Sequence, residues 1–164
     1  MSKKIIIFLL IILTAITLLF IPLFPKLVLN SVKNNKVNMI LNLDDKKFII
    51  SYTHSVNKGR IRDYYFIDKN NNLILDKTRF VSYGAGIAEP ESYENIVITD
   101  DYIEINKMNR IIKDFYLFIG IIANHTITAD EKVIELDSFF APQTNIKIEY
   151  KNVSLFEIIM NYIK

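Results

Sequence analysis

From Ile5 to Phe24 the chain carries no charged residue, and only Thr14, Thr17 and Pro22 interrupt its apolar character. A bilayer core about 30 Å thick needs about twenty apolar residues at helical rise, so residues 5–24 are predicted to span a membrane. The run is longer than the apolar stretch of a cleaved secretory signal, and it ends in Phe20, Ile21, Leu23 and Phe24 where cleavage needs small residues. The sequence therefore reads as an uncleaved signal anchor. Residues 1–4, with Lys3 and Lys4, form a short basic tail on the cytoplasmic side by the positive-inside rule. The remainder of the chain then lies outside the membrane, as the larger part of a single-pass protein of the cell membrane.

The anchor also explains the composition. Across 164 residues 51% are hydrophobic, and that excess is concentrated at the start. Twenty basic and 18 acidic residues are interspersed, for a net charge of +2, so no basic patch marks a nucleic-acid partner. There is no cysteine, hence no disulfide to help the domain fold.

Residues 25–38, with the polar stretch NSVKNNKVN, read as a linker. Residues 39–164 then read as one mainly β domain. Short runs rich in Ile, Val, Tyr, Phe and Thr fall at 48–56, 61–67, 73–83, 96–99, 102–106, 111–122, 126–128, 133–136 and 146–150. Turn residues separate them, which predicts a small antiparallel β-sandwich or barrel. The last segment alone looks helical: Ser154 is placed to cap 155–163, with Glu157 in the capping-box position.

His54 stands out inside the run 48–56. Strand alternation puts Phe48, Ile50, Tyr52, His54 and Val56 on one face and Ser55 on the other, so Ser55 and His54 cannot form a nucleophile–base dyad. With Lys58-Gly59 as a two-residue hairpin loop, His54 opposes Asp63 and every other pair is apolar. The pair is predicted as a buried imidazole–carboxylate contact, structural before functional. His125 reads as a turn or strand-end residue; joining His54 and Asp63 around a metal is the weaker alternative. Gly84-Ala85-Gly86 fails as a dinucleotide fingerprint, since Glu89 replaces the third glycine. Gly84 and Gly86 are expected to serve a backbone with positive φ. The binding or structural-polar candidates are His54, Asp63, Ser55, Gly84, Gly86 and His125; no residue is assigned to catalysis or to a metal, and no cofactor is implied.

Thr53-His54-Ser55-Val56, the acid at Asp63, Gly84-Ala85-Gly86 and the later Asn124-His125 together resemble an uncharacterised bacterial domain family of small membrane-anchored proteins. The resemblance runs from about residue 48 to 150. It departs from the family at Asn57 and Asp63, where glutamate is common. Members are associated with TAXI-type tripartite ATP-independent periplasmic (TRAP) transporters, so the resemblance implies an accessory role in solute uptake beside a permease or solute-binding protein. Two readings stand: a membrane-tethered accessory or binding module outside the membrane, and a tethered hydrolase or metal-dependent enzyme using His54, Asp63 and His125. The missing catalytic set favours the first.

Overall fold

The computed structural model describes residues 3–33, 36–83 and 94–163. It opens with helix α1, Lys3–Phe20, in which no residue is buried. Its 18 residues are about 27 Å long at 1.5 Å per residue, and it is the one helix among the described residues long and apolar enough to cross a membrane. The Thr14 hydroxyl donates to the Leu10 carbonyl at 2.8 Å and that of Thr17 to the Thr14 carbonyl at 2.8 Å, so neither polar side chain needs water. Pro22 disfavours helix at Ile21, and the helix ends at Phe20, four residues before the end of the apolar run.

The chain then enters a strand at once. Strand β1 is Pro22–Ser31 and β2 is Lys36–Leu41. This corrects the expected linker at 25–38. Leu27, Val28 and Leu29 are fully buried in β1, which lies inside its sheet between β2 and the long strand β12, Thr144–Ser154. The first sheet runs β2-β1-β12-β9, with β9 Phe115–Ile119.

The second sheet contains β3 Lys47–Thr53, β4 Arg60–Ile67, β5 Leu73–Phe80, β6 Ile96–Ile98, β7 Ile103–Ile105, β8 Arg110–Ile112, β10 Thr126–Ala129 and β11 Lys132–Glu135. Its order is β11-β10-β3-β4-β5-β7-β6, with β8 also on β5. All pairings are antiparallel, and the fold is mainly β as its sequence predicts. The run 111–122 is two strands in different sheets, broken at Lys113-Asp114.

Alternation makes the core. Leu27, Leu29, Ile119, Ile146 and Ile148 of the first sheet share one buried cluster with Phe48, Ile50, Tyr65, Ile67 and Ile127 of the second. A smaller cluster around Ile61, Phe80 and Ile103 continues along the second sheet. Helix α2, Leu155–Tyr162, packs on β1, β2 and β12. Its capping box forms as predicted: the Ser154 hydroxyl accepts from the Glu157 N–H at 3.2 Å, and the Glu157 carboxylate accepts from the Ser154 N–H at 2.7 Å.

Candidate functional site

The β3–β4 register decides where the polar candidates lie. Thr53 opposes Arg60, Tyr52 opposes Ile61, and Asp63 opposes Ile50. The connection is therefore a six-residue loop, 54–59, and the predicted His54–Asp63 pair does not form. Asp63's partner position lies four residues back from His54, about 13 Å at strand rise. The physical reason is in the loop. Lys58 takes a positive φ, at 57°, inside a longer loop than the two-residue Lys58-Gly59 turn expected. Gly59 serves a close approach instead: a Cβ there would meet the Val81 Cβ at 3.0 Å.

His54 consequently organises the loop. Its N–H donates to the Gly59 carbonyl at 2.9 Å, and its carbonyl accepts from the Lys58 N–H at 3.1 Å. The imidazole Nδ1 accepts from the Val56 N–H at 3.3 Å. Ser55 is exposed, and its carbonyl accepts from the Lys58 ammonium at 2.6 Å. Gly84 and Gly86, with Glu89 and Glu91, lie outside the described residues.

Asp63 faces the core side of its sheet, between the two apolar clusters. There it accepts a hydrogen bond from the Thr78 hydroxyl at 2.6 Å, and Thr78 is its cross-strand neighbour on β5. Burial raises its pKa above the ordinary carboxylate value, and the Thr78 hydrogen bond only partly offsets this. Tyr52, pushed up to about 12 by burial and then by the Asp63 charge, lies toward the same end.

Beside Tyr52 is His125. The two rings stack with centroids 5.7 Å apart. His125 sits at the strand end just before β10, as expected, and it is buried. Burial, and next the Arg60 charge, lower its pKa, so the ring is neutral at neutral pH. Its Nδ1 is buried and has no hydrogen-bond partner among the described residues, which costs on the order of 1–3 kcal/mol.

Arg60 holds this corner together, a role that sequence reading missed. One guanidinium nitrogen donates to the Asn124 carbonyl at 2.6 Å; the other donates to the Thr126 hydroxyl at 2.8 Å. Asn124 has φ of 46°, a left-handed turn that aims its carbonyl at this fork. No local pattern in the sequence marked it, because both of these partners lie more than sixty residues along the chain. Around it lies a cavity of about 400 Å³ lined by Arg60, Asn124, His125, Thr126, Glu135 and Asp137. One cation and a neutral histidine thus share a small cavity with two carboxylates. A larger cavity, about 690 Å³, includes Tyr64, Phe66 and Lys77, with acidic residues such as Asp44 and Asp130. Among the described residues no three His, Asp or Glu side chains gather as a metal would require.

These elements are also where the chain meets known sequences. A family model described as a domain of unknown function, DUF1850, matches residues 48–136, just over half of the chain. The chain belongs to the DUF1850 family. No curated protein matches it, and no solved structure does. The DUF1850 segment contains β3 to β11, and with them His54, Asp63, Arg60 and His125. Helices α1 and α2 and strands β1, β2 and β12 lie outside it.

Proposed function

We propose that this chain is a membrane-tethered extracytoplasmic accessory or binding module that supports TRAP-type solute uptake. The observation that carries the reading is the junction between anchor and domain. A single residue, Ile21, separates the apolar helix α1 from β1, an interior strand of the fold. A domain joined so closely is held at the membrane surface, where a permease and its solute-binding protein meet. The basic tail at Lys3 and Lys4 supports the orientation. The TRAP association rests on the sequence resemblance. The cavity under Arg60 and His125 supports binding, since its opposed charges can hold a polar group and its Thr126 hydroxyl is already engaged by Arg60.

The test is made in cells. Cysteine placed at Val32, an exposed position just past the far end of β1, should react with a membrane-impermeant maleimide in intact cells. Loss of the chain should lower uptake of a TRAP-carried solute, and the intact chain should restore it. Labelling only after the membrane is breached, or uptake unchanged by loss of the chain, would overturn the proposal.

A further inference from the structure

Helix α2 is amphipathic with its polarity reversed. At 100° per residue, Leu155, Ile159, Ile163, Phe156 and Met160 fall within an arc of about 140°. All five are exposed. The polar residues Glu157 and Asn161 lie on the opposite side with Ile158, and these three are half-buried. Glu157 is tied into the cap of the helix, and the Asn161 side-chain oxygen accepts from the Ile40 N–H of β2 at 3.1 Å. The helix therefore turns its polar side chains to the protein and its apolar ones away from it. In water that orientation is unfavourable by the apolar area left wet.

The position of α2 says what covers that arc. The register pairs Pro22 of β1 with Ser154 of β12, so α2 begins beside the point where α1 ends. The Phe20 and Phe156 rings are in contact, with centroids 4.8 Å apart. Ile21, Leu23 and Phe24, exposed at the same end, extend the apolar surface of α1 toward the helix. The arc is continuous with the span.

We infer that α2 is a second membrane-contacting element, lying in the lipid headgroup region beside α1 and fixing the orientation of the β domain. The occupant of the arc is the bilayer itself. An interfacial helix buries its apolar face about 5–10 Å into the headgroup boundary, and a span with one neighbouring interfacial contact cannot swivel freely. The inference rests on α1 spanning the bilayer.

The absence of native cysteine makes the test direct. Full-length protein carrying Ile159→Cys or Met160→Cys is labelled with an environment-sensitive fluorophore and reconstituted in phosphatidylcholine–phosphatidylglycerol vesicles. Val32→Cys is the control: it lies at the far end of β1, about 13 Å of strand beyond Val28, whose partner Ile40 meets Asn161 of α2. Quenching by shallow nitroxide-bearing lipids should be about twofold or more stronger on α2 than at Val32, with the order reversed for aqueous iodide. Iodide access on α2 equal to that at Val32 would overturn the inference and leave the anchor intact. Protection from both quenchers would overturn it too, in favour of a second copy covering the arc. Failure of the protein to float with the vesicles would refute the anchor and the inference together.

Discussion

The two sheets face the same core with different chemistry. On its inner side the first sheet offers Leu27, Leu29, Ile119, Ile146 and Ile148, with buried Ser31 beside Ile146 and no titratable group among these six. The second sheet offers Phe48, Ile50 and Ile127 on that side, but toward one end also Tyr52, Asp63, Thr78 and the His125 ring. The division follows the family match. Of the first sheet's strands only β9 lies within residues 48–136, whereas the second sheet lies within it. A largely apolar face is explained by packing alone. A raised-pKa carboxylate and an imidazole whose buried Nδ1 has no hydrogen-bond partner among the described residues carry a stability cost, and such costs concentrate where a fold has another task. The first sheet adjoins the apolar helix α1, and the second carries polar groups that fall within the family match.

The contrast can be broken most forcefully in the first sheet. Leu29→Ala removes a fully buried side chain from an interior strand, and should cost roughly 2–5 kcal/mol, read as a lower denaturation midpoint in detergent micelles. A loss below about 1 kcal/mol would mean that β1 is peripheral. The domain would then begin near residue 39, as the sequence alone suggests.

A smaller effect is expected at one end of the second sheet's interior strand β4. Arg60→Lys keeps the charge but loses the fork that reaches both the Asn124 carbonyl and the Thr126 hydroxyl. The expected cost is about 1–2 kcal/mol, with faster amide hydrogen exchange confined to residues near Asn124. Uniformly faster exchange would show that Arg60 acts on global stability and does not hold the cavity wall in particular.

Legibility in the sequence divides along the same line. Period-two alternation gave β4 within a residue because its burial is largely one-sided, whereas β3 and β5, with adjacent buried residues, were bounded within a few residues by the turn residues around them. Ser154 and Glu157 announced α2 through a local device that needs no tertiary information. Strand β1 was hidden. Its Leu27-Val28-Leu29 is buried on both faces, so it shows no alternation and merges with the anchor's apolar run, while the polar stretch after it disguises β2 as spacer. The candidate site was misread through one turn. Assigning Gly59 to a tight hairpin moved the register and paired His54 with Asp63, whereas Val81, distant in sequence, sets the need for glycine there. Arg60 was overlooked for a related reason: its partners lie more than sixty residues away.

The smallest effect, and the one that most sharpens the contrast between the sheets, concerns Asp63. Its folded-state pKa lies above the ordinary 3.8 because burial penalises the charged form more than the Thr78 hydrogen bond favours it. The folded chain thus holds this proton more tightly than the unfolded chain does. Its contribution to stability is full below pH 3.8 and is lost as pH rises through the folded-state value. At neutral pH the carboxylate is a net burden. Asp63→Asn keeps an acceptor for Thr78 without the charge, so it should raise Tm slightly at pH 7, with the gain shrinking as pH approaches 3.8. His125 gives the opposite slope: its pKa is lowered from 6.5, so its contribution to wild-type stability falls as pH drops below that value. Only the difference between wild type and Asp63→Asn isolates the carboxylate. A lower Tm for Asp63→Asn at pH 7 would show the charge to be compensated and the second sheet to be as fully packed as the first. A higher Tm together with reduced uptake would show that the fold gives up stability at Asp63 for function.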